Sequence, residues 1–203
     1  MKFYALAAAS LFALGSAGFS YAQPGTGTSD QGWRMPYEGA FWGHVGASYG
    51  RARLNFECPG GPYECDRTQN AWKVFAGGRF NRIVGGEISY LRADNFKRGG
   101  GDTDLQLVNV GLLAGIPLGA NSSIFAKGGI LWGHTEATGL GLGGDAGSQN
   151  GWGPSYGVGA QIGVTRNWAV RLDLDRYRPK LPGSAGRENL DMLMLGVQYS
   201  FGG

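Results

Sequence analysis

The sequence predicts an all-β fold, an eight-stranded antiparallel transmembrane β-barrel whose strands follow one another as an up-and-down meander. Three observations carry this prediction: eight segments of alternating apolar and polar residues, connections that alternate in length, and aromatic residues at both ends of the apolar face. The clearest segment is WAVRLDLD at 168–175, where one parity is apolar and the other carries Arg171, Asp173 and Asp175. Because successive strand side chains point to opposite faces, this segment is a strand with one apolar and one polar side.

The N-terminal residues predict a secretory signal peptide. Lys2 supplies the positive charge, an apolar run follows it, and Ser20 and Ala22 are the small residues expected at a cleavage site. A membrane anchor is the alternative, but the apolar run is shorter than the roughly 20 residues that a spanning helix needs. The remaining chain has a length that suits one domain. The predicted organisation is a signal peptide at 1–22, an N-terminal periplasmic segment at 23–38 and the barrel at 39–203.

Eight candidate strands follow from the alternation, and an even number of strands fits a closed antiparallel barrel. In chain order they are 40–51, 70–81, 84–93, 104–116, 122–136, 153–164, 168–177 and 189–201. The apolar parity of the eight strands is marked, in the same order, by Val45, Val74, Ile88, Val110 with Leu112, Ile130, Val158 with Ile162, Val170 with Leu172, and Leu195 with Val197.

The connections between these strands alternate in length. Long ones are predicted at 52–69, 94–103, 137–152 and 178–188, and short ones at 82–83, 117–121 and 165–167. Outer-membrane barrels have long external loops and short periplasmic turns. A soluble barrel or sandwich has no reason to lengthen every second connection, so we expect the apolar face to contact lipid and the long loops to be external.

Aromatic residues on the apolar parity fall into two groups, as the girdles of a membrane barrel do. One group lies near the short-turn or terminal end: Phe41, Phe80, Trp168 and Phe201. The other lies near the long-loop end: Tyr49, Trp72, Tyr90, Trp132 and Tyr156. The alternative, in which these residues form an ordinary soluble core, explains neither the two rings nor the loop lengths.

The opposite parity is mixed, small and charged, and side chains fill the narrow interior of an eight-stranded barrel. An unpaired charge there is costly, whereas a paired one is tolerable. We interpret Glu87 as a shared acceptor for Arg79, Lys127 or Arg171, and counting from the short turns places Asn109 opposite Lys127. A static plug and a gate that admits ions both fit. The predicted luminal charge network is Lys73, Arg79, Glu87, Lys127, Gln161, Arg171 and Asp173.

The hairpins KVFAGGRFNRIVGGEISYLRAD at 73–94 and GAQIGVTRNWAVRLDLDRYR at 159–178, with the last strand LDMLMLGVQYSF, resemble the OmpA-like transmembrane β-barrel family. The resemblance implies an eight-stranded outer-membrane barrel of a Gram-negative bacterium with periplasmic termini. This chain departs from the full-length pattern in that we expect a small protein with the barrel alone. In the OmpA-like pattern an acid occupies the position of Gln161, and we expect Asp173 to compensate. The expected partners are outer-membrane lipid and lipopolysaccharide, with periplasmic chaperones and the barrel-assembly machinery during biogenesis.

The charge and motif content argues against nucleic-acid binding and against a recognisable catalytic site. The 18 Lys and Arg residues and 15 Asp and Glu residues are interspersed, so nucleic acid is not an expected partner. GHTEA around His134 faintly resembles the His and Ser of lipid A deacylases, but His134 and Thr135 have opposite parity, whereas a nucleophile must reach its base. His44 is interpreted as a luminal packing residue. No catalytic, cofactor-binding or metal site is predicted, and the loops carry no recognisable ligand motif.

The function expected from these residues is that of a non-enzymatic barrel that contributes to envelope structure or to surface interactions through its external loops, with a lumen plugged by charged side chains. A narrow ion-conducting pore is the alternative. An enzyme that modifies lipid A or phospholipid is the third possibility.

Cys58 and Cys65 are the two cysteines, and they lie close together in ECPGGPYEC. An exported chain with a close cysteine pair favours a disulfide. A zinc site is the rival interpretation, but two ligands alone are too few for it.

We therefore predict that thiol labelling of the denatured, unreduced mature protein finds no free cysteine, because both sulfurs are in the disulfide. Replacing Cys58→Ser should then expose one thiol, that of Cys65. Quantitative labelling of both cysteines in the unreduced protein would rule the disulfide out.

Overall fold

The computed structural model describes residues 42–55, 67–81, 83–98, 101–118, 122–138, 147–180 and 187–201. The predicted signal peptide and periplasmic segment, Phe41, and the cysteines Cys58 and Cys65 lie outside these residues. None of the described residues belongs to a helix that is long and apolar enough to cross a bilayer.

Eight antiparallel strands close into one barrel in sequence order, which confirms the predicted fold class. The strands are β1 (Trp42–Asn55), β2 (Thr68–Arg79), β3 (Val84–Arg98), β4 (Gly101–Pro117), β5 (Ser122–Thr138), β6 (Gly147–Gly163), β7 (Trp168–Tyr177) and β8 (Asn189–Phe201). The last strand pairs with the first from Gly43 opposite Phe201 to Asn55 opposite Asn189. The barrel therefore has no open edge along this seam.

The predicted long connection at 94–103 is wrong. Strands β3 and β4 continue to a pair between Arg98 and Gly101, so only residues 99–100 join them. The register shifts between Ala93 and Phe96, and both side chains are fully buried although they are three residues apart. Such a bulge places an extra residue in one strand. It breaks the alternation, which is why the sequence pattern resembled a loop at this point.

Strands β5 and β6 also extend beyond their predicted limits, with Ala137 opposite Gly147. By contrast, β2 stops pairing with β3 at Ala71, and β7 stops pairing with β6 at Tyr177. The outer parts of β3 to β6 consequently stay paired with one another beyond the closed part of the barrel. We call this region the projecting sheet.

In two of the short turns at the opposite end, side chains satisfy backbone groups. The Asn81 side-chain oxygen accepts hydrogen bonds from the amides of Ile83 at 2.8 Å and Val84 at 2.7 Å. In the last short turn the Trp168 amide donates to the Thr165 hydroxyl at 3.1 Å. Asparagine and threonine side chains commonly replace backbone partners in tight turns in this way.

The apolar face of every strand lies on the outside. Leu112, Ile162 and Leu195 are about 60% exposed, at 62%, 60% and 59%, whereas the charged Arg171 of the opposite parity is 1% exposed. This is the inverse of a soluble barrel and confirms the predicted assignment of the two faces. Exposed aromatic residues lie at both ends of the apolar band, including Phe80, Trp168 and Phe201 at the short-turn end and Tyr49, Trp72, Trp132 and Tyr156 at the long-loop end.

Candidate functional site

The middle of the lumen holds a cluster of ionisable side chains together with one amide, that of Gln198, and we call this cluster the charged layer. Strand alternation brings them inward from six different strands, and each is less than half exposed. Its members are His44, Lys73, Glu87, Lys127, Arg171, Asp173, Asp175 and Gln198.

Two lysines and two aspartates form one half of the charged layer. Asp173 and Asp175 are neighbours on the inner face of β7, and Lys73 reaches both of them, with its Nζ 2.9 Å and 2.8 Å from their Oδ2 atoms. From the other side, the Nζ of Lys127 lies 2.9 Å and 2.6 Å from their Oδ1 atoms. Each buried charge therefore contacts two opposite charges, which offsets the cost of removing it from water.

Arg171 organises the other half. Its Nη1 and Nη2 donate to the two carboxylate oxygens of Glu87, at 2.6 Å and 3.2 Å. Its Nε donates to Asp173 at 3.1 Å, which joins the two halves of the layer. His44 approaches the same Glu87 carboxylate at 3.4 Å. The two-pronged contact with a carboxylate is the geometry that a planar guanidinium favours.

Two aromatic rings enclose the Arg171 guanidinium on the short-turn side of the layer. Its central carbon lies 4.3 Å from the ring centre of Phe75 and 4.6 Å from that of Phe125. Both rings attract a cation through their faces. The rings have room because Gly46 and Gly159 stand where a Cβ atom would collide with Phe75 and Phe125, respectively.

On the long-loop side the lumen is filled by hydrophobic side chains, which we call the apolar layer. All of them are at most 3% exposed. The Tyr177 hydroxyl donates to Asp175 at 3.3 Å and so connects this layer to the charged one. Its members are Ala52, Leu54, Ala71, Leu91, Ala93, Phe96, Leu105, Leu107, Leu131, Tyr177, Leu190, Met192 and Met194.

The sequence did not lead us to the apolar layer, although the signal was present. Leu107 has the parity of Asn109, and Leu131 has the parity of Lys127, so both could have been assigned to the lumen. The alternation placed Met192 and Met194 on the inward parity, but that parity was interpreted as mixed, small and charged, and part of the layer fell in segments assigned to loops, including Leu54 and Phe96.

The structure brings together five members of the predicted charge network: Lys73, Glu87, Lys127, Arg171 and Asp173. Arg171, one of the three candidate partners of Glu87, contacts it directly. Arg79 lies half-buried at the short-turn end of β2, and Gln161 is buried opposite Arg171 in the pairing of β6 with β7. His44, Asp175 and Gln198 also belong to the layer; parity indicated that they face the lumen, but nothing in the sequence indicated their contacts.

The predicted pairing of Asn109 with Lys127 is wrong. Pro117 stands opposite Ser123, and this register places Lys127 opposite Leu113 and Asn109 opposite Leu131. The turn length sets the register of a hairpin, and the extent of this turn was misjudged from the sequence. Asn109 instead accepts a hydrogen bond from Ser155 at 2.5 Å.

A small cavity of about 10 Å³ adjoins the charged layer beside Lys127 and Asp175, with Asn109 and Ser155 also in its wall. A space of this size holds about one water molecule, and its polar wall offers the partners that a buried water needs. The charged layer thus has room for solvation by about one water beside Lys127 and Asp175.

The candidate catalytic residues do not form a site. His134 lies on the outer face of β5, 2.5 Å from the Asn150 side-chain oxygen, while the Thr135 side chain is fully buried on the inner face. The Thr135 hydroxyl has no hydrogen-bond partner among the described residues. The described residues also contain no group of three or more His, Cys, Asp or Glu side chains that could hold a metal ion.

Replacing Asp173→Asn should destabilise the barrel by roughly 3–5 kcal/mol, because it leaves Lys73 and Lys127 short of a buried partner. The matched control is Asp191→Asn, which removes a partly exposed carboxylate bound by Arg176 and should have a much smaller effect. Urea unfolding in detergent micelles, followed by tryptophan fluorescence, measures both. Equal losses in the two variants would mean that the buried pairs add no stability beyond that of a surface pair.

The sequence pattern of the family described as Outer membrane protein beta-barrel domain matches residues 5–201. No curated protein matches the sequence. Among solved structures, the fold is similar to that of Ail, the attachment invasion locus protein of Yersinia pestis, with a TM-score of 0.56, 17% identity, and coverage of 79% of this chain and 98% of that one.

Two further solved structures share the fold. Neisserial surface protein A has a TM-score of 0.59 at 15% identity, with 79% of this chain and 97% of that chain covered. OprG of Pseudomonas aeruginosa has a TM-score of 0.54 at 13% identity, with 79% and 97% covered. The family match spans nearly all of a chain that closes into an eight-stranded meander with its apolar face outward, and the chain therefore belongs to the outer membrane protein β-barrel domain family of bacterial outer-membrane proteins.

Proposed function

We propose that this protein is a non-enzymatic barrel with a closed lumen, which contributes to envelope structure or to surface interactions through the strands and loops of its long-loop end. The observation that supports the closed lumen most strongly is its filling by two successive layers, one charged and one apolar. The short turns and the termini face the periplasm, and the long-loop end faces the outside.

The two layers oppose ion passage in different ways. In the charged layer three cations, Lys73, Lys127 and Arg171, face the three carboxylates of Glu87, Asp173 and Asp175, so an ion would have to displace existing pairs. In the apolar layer an ion would lose its hydration without gaining a partner, as at the hydrophobic constrictions that close channels by dewetting. Because the layers lie in series, both must open before the lumen conducts.

The non-enzymatic part of the proposal is supported by the separation of His134 and Thr135 on opposite faces of β5. A nucleophile and its base have to lie within hydrogen-bond reach of each other. A lipid-modifying enzyme, the third possibility, would need a nucleophile and base other than Thr135 and His134.

A role at the cell surface is supported by the projecting sheet. Strands β3 to β6 remain paired beyond the last residues that β2 and β7 contribute to the wall. Exposed Trp152 of β6, with Arg178 and Lys180 just after β7, lies at this end. Binding to an ordered sheet loses less conformational entropy than binding to a loop that becomes ordered only in the complex.

The closed lumen predicts conductance near background for the refolded mature protein in planar bilayers. Glu87→Gln alone should leave it near background, because the apolar layer still excludes ions. Adding Leu107→Asn and Leu131→Asn to Glu87→Gln should produce openings, since polar side chains hydrate the second layer. Circular dichroism checks that each variant keeps its β-structure, as expected for a wall held by backbone hydrogen bonds.

Two outcomes would contradict the closed lumen. A large steady conductance of the wild-type protein would show that the lumen is a pore, the alternative function. Openings in Glu87→Gln as large as those of the triple variant would show that the apolar layer is no barrier.

The proposed orientation predicts that Lys180→Cys reacts with a membrane-impermeant maleimide in intact cells, whereas Arg166→Cys reacts only after permeabilisation. Both positions are exposed, one at the long-loop end and one in a short turn. The background protein carries Cys58→Ala and Cys65→Ala so that only the new thiol is measured. Labelling of Arg166→Cys in intact cells would reverse the orientation.

A further inference from the structure

The charged layer contains one histidine, His44, among its permanently charged side chains. It lies on the inner face of β1, near the start of this strand, and is 5% exposed. Its Nε2 lies 3.4 Å from Oε2 of Glu87. Imidazole is the side chain whose charge ordinarily changes between about pH 5 and pH 8. The layer therefore includes one group that can gain a positive charge in mild acid.

His44 reaches Glu87 because a glycine separates the two residues. His44 stands opposite Gly77 in the pairing of β1 with β2, and Gly77 stands opposite Glu87 in the pairing of β2 with β3. The imidazole crosses over the middle member of this row, since a Cβ atom at Gly77 would lie 2.8 Å from both Cε1 and Nε2 of His44. The missing side chain at Gly77 thus makes room for a contact that spans two strand spacings.

His44 and Arg171 approach the same oxygen of Glu87. Nη1 of Arg171 donates to Oε2 at 2.6 Å, and Nη2 donates to Oε1 at 3.2 Å. The 3.4 Å contact of His44 is longer than the about 2.7–2.9 Å of a hydrogen bond between charged groups. A protonated imidazole would shorten this contact and compete with Nη1 for Oε2. Arg171 would keep its other acceptors, Asp173 and Gln198.

The charges around His44 balance one another as long as its ring is neutral. Opposite His44 on β8 stands the uncharged Ser200, and Gln198 is its neighbour on the inner face of that strand. With three cations and three carboxylates in the charged layer, one proton on His44 would leave a single excess positive charge. The titratable and charged groups that face His44 are Lys73 and Arg79 from β2, Glu87 from β3, Lys127 from β5, and Arg171, Asp173 and Asp175 from β7.

We propose that His44 is a proton-sensitive switch in the charged layer. In mild acid its ring takes up a proton from solvent, donates from Nε2 to Oε2 of Glu87 and displaces Nη1 of Arg171 from that oxygen. The layer then has a net positive charge and has lost its two-pronged contact, so it is looser than at neutral pH. The apolar layer contains no group that titrates in this range, and it keeps the wild-type lumen closed. Only this last statement rests on the proposed closed lumen.

Nuclear magnetic resonance of the mature protein in micelles tests the proton uptake directly. The chain has two histidines, so His134→Gln leaves the signal of His44 alone. In protein labelled with ¹³C at histidine and glutamate, we expect the His44 Cε1 and Glu87 Cδ resonances to shift with one common midpoint between about pH 8 and pH 5. His44→Gln should abolish the shift of Glu87 Cδ in this range, and Glu87→Gln assigns that resonance.

The loosening is tested in a variant whose apolar layer is hydrated, Leu107→Asn with Leu131→Asn. Its conductance in planar bilayers should be near background at about pH 8 and should show resolved openings at about pH 5. Adding His44→Gln should keep the conductance near background at both pH values. The matched control, His134→Gln on the outer face, should leave the openings in acid unchanged.

Three results would overturn the proposal. The His44 Cε1 resonance would stay constant over the whole range, the openings in acid would be equally large with and without His44, or His44 would titrate and the hydrated variant would stay closed at both pH values. A large conductance of the hydrated variant already at neutral pH would instead contradict the two-layer closure of the lumen. Proton uptake by His44 would then still be decided by the resonance measurement, so the two failures are distinguishable.

Discussion

The pairing of β8 with β1 is the constraint on which the rest of the structure depends. In hydrocarbon, a backbone amide or carbonyl without a partner costs several kcal/mol, and no water is available to replace the missing bond. The seam from Gly43 opposite Phe201 to Asn55 opposite Asn189 satisfies these groups along the whole height of the wall. Because closure is achieved by the backbone, the side chains on the two faces can serve other purposes.

The lumen shows what this independence permits. A soluble domain of this size would be stabilised by an apolar interior, whereas here the largest fully buried side chains include Arg171 and Lys73. Buried ion pairs are weak evidence for stability, because desolvation offsets much of their attraction. Arg171 contacts Glu87, Asp173 and two phenylalanine rings. Together these contacts favour one arrangement of the side chains in the charged layer. The guanidinium is fixed in direction as well as in charge, and small glycines on neighbouring strands make that arrangement possible.

The sequence predicted the number and order of the strands and which face of each strand is apolar. These follow from the alternation of apolar and polar residues along a strand, which neighbours such as Val170 and Arg171 display directly. Register and contacts across the lumen depend on turn length and on the stagger of the strands, which parity does not contain. Asn109 and Lys127 were mispaired for this reason, and the partner of Glu87 stayed open among three candidates. The bulge between Ala93 and Phe96 reversed the parity within β3, so the outer part of this strand was assigned to a loop.

The balance of three cations against three carboxylates in the charged layer has a consequence for selectivity. An ion that reached this level would meet strong local dipoles but no net charge, so the electrostatic potential would favour neither sign over the other. Pores that discriminate between anions and cations use rings of one charge for that purpose. For the closed lumen proposed above, any path through this level would be limited by dehydration and width before it was limited by the sign of the ion.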